Sequence, residues 1–392
     1  MTIPVPSQPD AARGDVVVHV FGRTDVGRTR EHNEDAFIVV DLSADNASLQ
    51  AEVRTHVVGP RGTMFMVADG LGGAAAGEIA SELAVTTVHE EMRTRWLRGP
   101  RMDAEAFATA IKASAETANN RIFTYALEHP ENRGLGTTAT IAGLLGDTLF
   151  LAQVGDSRAY LIRDGVARQI TKDQSLMQRL IEAGELTPDE AERSERRNII
   201  LQALGPEPTV KIDLTYQKLR RGDTLILCTD GLSGLVKKDD IAEVVASQSD
   251  LMEVCRDLID RANENGGPDN ITVIAARFEG AGLSDAEPDD NVGHSVFLLP
   301  GQEITGPTSR PRYETARPAV SAPTPASNAS VGDGTETVAR SGSKVWIFTI
   351  VALIVLGVMV FAARGLLGKS HANGTGGAAP HDTASGEMKS AP

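Results

Sequence analysis

The chain has 392 residues, 41% hydrophobic but only 4% aromatic, so it can build a sizeable core and that core is mainly aliphatic. Its 53 acidic residues outweigh 38 Lys and Arg, and a net charge of -15 argues against nucleic acid as a partner. Two cysteines, Cys228 and Cys255, form no CxxC pair, which argues against a zinc site and a disulfide framework.

Residues 1–14 are small, polar and proline-containing and read as a loose tail without the pattern of a secretory signal. Strands are predicted at Val16–Phe21, Ala36–Val40 and Thr63–Ala68. The last is an apolar run that delivers Asp69-Gly70 to its tip and continues into the glycines 72, 73 and 77. Three- and four-residue apolar spacing then predicts helices over Glu78–Leu97 and Asp103–Glu128, the second stopped by His129-Pro130.

A β block follows. Thr137–Leu145 and Thr148–Val154 flank the hairpin turn Gly146-Asp147, and Ala159–Ile162 and Val166–Ile170 flank a turn at Asp164-Gly165. Helices are predicted at Gln174–Ala183, Pro188–Arg193 and Asp239–Glu264, and strands at Asp223–Cys228 and Asn270–Phe278. Strands come in runs and helices in runs, which indicates an α+β fold with antiparallel sheets.

From about Gly280 hydrophobic periodicity is lost among Pro, Ser, Thr, Ala and Gly, so 281–344 reads as a disordered linker behind a domain at 15–280. Val345–Ala363 then runs 19 residues without a charge. As a helix it is roughly 28 Å long, near the hydrocarbon thickness, and reads as one transmembrane span. Residues 364–392 are a short polar tail, expected outside the cell with the larger domain in the cytosol.

Acidic residues stand at suggestive places: Glu34-Asp35 before a strand, Asp69 and Asp230 in two Asp-Gly strand ends, Asp156 after the run Leu149–Val154, and Asp269 before the last strand. Each alone is more often a solvated turn acid. Together, with little His or Cys support, they point to an all-oxygen site for hard divalent cations such as Mg²⁺ or Mn²⁺. The glycine run is no phosphate-binding P-loop, since Glu78-Ile79 follows it instead of Lys-Ser/Thr. A dinucleotide site would need a parallel βαβ setting.

Eight stretches in order carry a resemblance: DVGRTREHNED (25–35), VADGLGGAAAGEIAS (67–81), GLGTTAT (134–140), VGDSRAY (154–160), TKDQSLMQRLIEAGELTPDEA (171–191), RNIILQALG (197–205), LCTDGL (227–232) and GGPDNIT (266–272). The chain resembles the bacterial metal-dependent Ser/Thr protein phosphatases of the type 2C (PPM) family. The resemblance implies two stacked antiparallel sheets flanked by helices, an α-β-β-α sandwich, with two Mn²⁺ or Mg²⁺ ions between the sheet ends.

It further implies that Asp35, Asp69, the Gly70 carbonyl, Asp230 and Asp269 hold those ions, with Glu34 as an outer partner through water. Asp156 with Asp230 matches the ligand set of a third ion, and Arg30 takes the phosphate-binding position. The implied partners are phosphorylated proteins, and the expected membrane tether adds membrane-linked Ser/Thr kinases as neighbours. The chain departs from the family at Gln174, where the pattern often has His, and at Ser194-Glu195, where it often has His-Pro, both around a mobile flap. A degenerate fold that only docks phosphoproteins is the alternative, and its mark, a lost core carboxylate, is missing here.

Overall fold

In a computed structural model the described residues are 14–301, apart from 49–51, 53, 73–75, 133 and 289. Five strands come first: β1 (Val17–Asp25), β2 (Asp35–Asp41), β3 (Asn46–Ser48), β4 (Arg54–Val57) and β5 (Thr63–Leu71). Helices α1 (Ala76–Met92) and α2 (Ala104–Glu128) follow, then β6 (Gly136–Thr137), β7 (Ala139–Leu145), β8 (Thr148–Val154), β9 (Arg158–Arg163) and β10 (Val166–Gln169). Two short helices, α3 (Leu176–Glu182) and α4 (Pro188–Glu192), lead to β11 (Asp213–Lys218) and β12 (Thr224–Cys228). A single turn, α5 (Asp230–Ser233), helices α6 (Lys238–Ser247) and α7 (Leu251–Glu264), and β13 (Ile271–Glu279) complete the order.

The strands pair antiparallel into two sheets, β10-β9-β12-β13-β1-β4 and β11-β8-β7-β5-β2-β3, with β6 on the end of β5. Apolar runs form these strands because both faces are covered, so that β7 and β8 are buried at every position. Along β5, Phe65 and Val67 point between the sheets and meet Val18, Val20, Leu225 and Leu227. Met64 and Met66 point the other way, onto Ala80 and Ala84 of α1 and Phe107 and Ile111 of α2. On the far side Ile226 and Cys228 pack under Ile241, Val245, Val254 and Leu258 of α6 and α7. This is the expected four-layer α-β-β-α sandwich, made by period-2 alternation in the strands and 3.6 periodicity in the helices.

Several predicted elements change at their edges. The helix expected over Asp239–Glu264 is two helices, because the Asp250 carboxylate accepts the Met252 amide (2.9 Å) and caps a new start. The strand expected over Thr137–Leu145 breaks at Thr138, whose hydroxyl turns to the Asp69 amide (3.0 Å). The strands β3, β4 and β11 had no prediction; the first two are short and β11 is a mixed-polarity edge strand. The linker expected from 281 does not hold over its first residues, since Leu283, Val292 and Phe297 are buried in the sandwich. No helix among the described residues is long and apolar enough to cross a membrane, and the predicted span 345–363 lies outside them, as do the tail and linker beyond 301.

One charged pair is sealed in the fold. Arg163, at the end of β9, donates to both oxygens of Asp223 (2.9 and 2.7 Å), and the two side chains are 8% and 1% exposed. Asp223 also accepts the Arg220 amide (2.8 Å). Removing one partner strands a buried charge, so Asp223→Ala is expected to lower stability by about 3 kcal/mol in urea unfolding. A loss under about 1 kcal/mol would show that the pair does not hold this corner.

Candidate metal centre

The sheet register places the first two carboxylates. Asp35 opens β2 directly opposite Asp69 near the end of β5. Neither is at a turn: β5 runs two residues past Asp69, and Gly70 pairs with Thr137. Asp230 comes from the other sheet, in the first turn of α5 after β12, and Asp269 precedes β13. Asp156 lies just beyond β8 and Glu34 just before β2, so the two sheets deliver their acids to one end of the sandwich.

Close approach there depends on missing side chains. A Cβ on Gly70 would sit 2.2 Å from the Gly77 carbonyl and 2.5 Å from that of Glu34, and one on Gly77 would sit 2.7 Å from the Glu34 carboxyl carbon. Backbone around the acids is pinned by hydroxyls. Thr137 donates its hydroxyl to the Asp69 carbonyl (2.8 Å), and Thr138 exchanges hydrogen bonds with Asp69 through its own amide and hydroxyl. Thr229 donates its hydroxyl to Asp35 Oδ2 (2.9 Å) and accepts the Thr272 amide (3.0 Å).

The carboxylates are crowded and short of counter-charge. Asp35 and Asp156 are each pushed up to about 7, first by burial and then by neighbouring acids, Asp230 among them. Asp69 and Asp230 are raised by the same two causes. Glu34 is raised by burial, partly offset by Arg30. Arg30 reaches the rim as expected but is engaged there: Nη2 donates to Asp269 Oδ2 (2.9 Å) and Nη1 lies 3.8 Å from Glu34.

Among the described residues no three His, Cys, Asp or Glu side chains close on one point tightly enough to hold an ion as they stand. The acids gathered there offer only oxygen, which suits hard cations better than zinc. Divalent charge would remove the repulsion that holds four of these acids above their ordinary range. Both thiols are buried and pushed up to about 12, so neither is a nucleophile.

The sequence reading missed Asn270. Its side chain is buried, accepts the Glu34 amide (2.8 Å) and donates to the Val26 and His32 carbonyls (both 2.9 Å), so it clasps the loop that carries Arg30 and Glu34. Its place in GGPDNIT was the available signal. Arg158 was also missed; it grips both oxygens of Asp173, Nε on Oδ1 (3.0 Å) and Nη2 on Oδ2 (2.7 Å), beside Asp156.

The flap, residues 170–204, is tied to the acids at both ends. At its entry Gln174 Oε1 accepts the Gly155 amide (3.0 Å), next to Asp156, while Nε2 donates to the Lys211 carbonyl (3.2 Å). At its exit Leu204 exchanges backbone hydrogen bonds with Thr137, the residue that pins Asp69. Glu195 is exposed and Ser194 caps only its own turn, through the Arg196 amide (3.2 Å).

These features meet in a known group of enzymes. Residues 44–272 match the model of the family described as Protein phosphatase 2C, and the chain belongs to that family. Among its relatives is the serine/threonine phosphatase stp of Listeria monocytogenes, 35% identical over 257 residues, 66% of this chain and 94% of the relative. A Streptococcus agalactiae serine/threonine phosphatase has a similar structure, with TM-score 0.59 and 32% identity, covering 66% of this chain and 99% of that one. The catalytic domain of PstP, the Mycobacterium tuberculosis Ser/Thr phosphatase, is similar too: TM-score 0.54, 33% identity, 67% of this chain and 99% of that one. That structure is a complex with two manganese ions.

The raised carboxyls set a pH dependence. Acids whose folded pKa is above the unfolded value stabilise the protein fully below the unfolded value, and that contribution is lost as pH rises through the folded one. For Asp35 and Asp156 the window runs from 3.8 to about 7. EDTA-treated protein should therefore lose more than about 5 °C of Tm between about pH 5 and about pH 8, and Mn²⁺ should restore it at the upper end. A Tm indifferent to Mn²⁺ at about pH 8 would contradict the assignment.

Proposed function

We infer that the protein is a metal-dependent protein Ser/Thr phosphatase that hydrolyses phosphoserine and phosphothreonine in proteins. One observation carries the reading: two sheets bring Asp35, Asp69, Asp230 and Asp269 to one edge, in mutual repulsion, with Arg30 on the rim. Asp35, Asp69, the Gly70 carbonyl, Asp230 and Asp269 are the proposed ligands of two Mn²⁺ or Mg²⁺ ions, and Glu34 acts through water. Asp156 with Asp230 is the proposed third site.

When bound, such ions supply an activated water as nucleophile and compensate the charge of the phosphoryl oxygens. The chain's own groups do the rest. Arg30, leaving Asp269, offers a planar fork to two phosphate oxygens. Thr229 holds one Asp35 oxygen by a hydrogen bond and so leaves the other for a cation. Asn270 keeps the Arg30 loop at a fixed distance from the floor. No covalent phosphoenzyme is required, in keeping with the inert thiols.

Phosphopeptide hydrolysis should depend on Mn²⁺ or Mg²⁺ and disappear in EDTA. Asp230→Asn should lower kcat by more than about 100-fold, and Arg30→Ala should chiefly raise KM. Turnover of Asp230→Asn within a few-fold of wild type would overturn the metal assignment.

We also propose a tether. Val345–Ala363 is read as a single membrane-spanning helix, with the phosphatase domain in the cytosol facing membrane-linked Ser/Thr kinases and their targets. The uncharged run and the polar segment before it support this reading. Alkaline phosphatase fused after Pro392 should be active, and green fluorescent protein fused there and exported by the general route should be dark. The opposite pair of results would place the tail inside.

A further inference from the structure

Residues 281–301 lie beyond the part of the chain that matches the family, yet they are built into the fold. Arg220 grips Asp290 with two charge-assisted hydrogen bonds (2.5 and 2.6 Å) and donates a third to the Ser284 hydroxyl (3.1 Å). Gln217 then holds the Asn291 carbonyl and the Gly293 amide (both 3.1 Å). From there the segment runs antiparallel along β11: Tyr216 donates to the Ser295 carbonyl, Phe297 donates to the Leu214 carbonyl (both 2.9 Å), and Thr215 faces Val296. The edge of the sheet that carries Asp69 is thus covered by this chain's own backbone.

Phe297 locks the segment down. Its ring meets Phe150 edge-on at 5.2 Å and Tyr216 at 5.9 Å, and Phe150 continues the stack to Phe107 and Trp96. In a chain this poor in aromatics, five of them form one run from Trp96 to the strap.

The direction of the strap matters. Running antiparallel to β11, it heads for the Asp213 end, and Lys211 just before that end holds the flap twice: its carbonyl accepts Gln174 Nε2 (3.2 Å) and its amide donates to Gln202 Oε1 (3.0 Å). His294 of the strap has Lys172, Asp213 and Glu182 as its electrostatic neighbours, and Lys172 and Glu182 are the ion pair (2.8 Å) that anchors α3. Strap, β11, Lys211 and the two flap glutamines form one connected path, and Gln174 ends it beside Asp156.

We propose that residues 281–301 are a strap that positions the flap, and through it the binding of the peptide around the phosphate. The proposal rests on the phosphatase reading for its substrate. Detaching the strap loosens β11 at Lys211, and the flap then loses the support of Gln174 and Gln202. A small ester that needs only the floor of the site should be indifferent to this, whereas a phosphopeptide should not.

The test uses the full chain with Mn²⁺ and two variants that detach the strap at different points, Phe297→Ala and Asp290→Ala, so that one remains if the other fails to fold. Amide exchange in residues 176–201 should quicken about tenfold while β13 and α7 change less than about twofold. KM for a phosphothreonine peptide should rise about threefold, with kcat/KM for p-nitrophenyl phosphate unchanged. Exchange that rises evenly across the fold, flap exchange at the wild-type rate, or an unmoved peptide KM overturns the proposal. If wild-type protein hydrolyses neither substrate, the phosphatase reading falls, and the exchange pattern still decides whether the strap positions the flap.

Discussion

Like charges held together against their repulsion are the constraint on which the rest of this structure depends. Asp35, Asp69, Asp156 and Asp230 are each raised first by burial and then by a neighbouring acid, Asp269 in the case of Asp230. A fold can keep such a group only if the elements carrying it cannot move apart. Here the restraint is the sandwich itself. β2 and β5 are adjacent strands in one sheet, β12 and β13 adjacent strands in the other, and an aliphatic layer glues the two sheets face to face. Spreading the acids would mean opening that layer.

Around the acids, hydroxyl and amide side chains do what a second charge could not. Thr137, Thr138, Thr229 and Asn270 fix backbone and carboxyl positions with neutral hydrogen bonds, leaving the negative potential in place for a cation. Arginines are spent sparingly. Arg158 is bound to Asp173 and Arg163 to Asp223, and Arg30 at the rim is held by Asp269, a group expected to prefer an ion. If Asp269 takes a cation as proposed, two events are coupled: the ion would free the Arg30 fork for phosphate. The flap adds a second coupling, because both of its ends are tied to residues that neighbour or pin the acids.

Legibility in the sequence followed from how local each signal is. The strands that carry Asp35, Asp69, Asp230 and Asp269 were readable because continuous apolar runs mark strands buried on both faces. Asp69 and Asp230 were readable because the Asp-Gly arrangement recurs. Asn270 and Thr229 were not, since a polar residue flanking a strand has the same pattern whether it clasps a loop or faces water. β3 and β4 are three and four residues long and half-exposed, too short to show a period. The strap was misread as linker because its anchors, Leu283, Val292 and Phe297, follow no repeat: the first two join the layer between the sheets and the third the layer under α1 and α2.

By itself, then, the sequence determined the element types, the layered α+β class and the identity of the acids, all of which depend on neighbours within a few residues. It also pointed to the chemistry, since an acid cluster with little His or Cys support favours hard divalent cations. Only the tertiary structure decided that Asp35 stands directly across from Asp69, that Arg30 is shared with Asp269, and that residues 281–301 belong to the folded domain. Those are contacts between segments up to 239 residues apart, and their partners are chosen by sheet register and by which surfaces remain uncovered once the sheets have stacked. No local pattern encodes that choice.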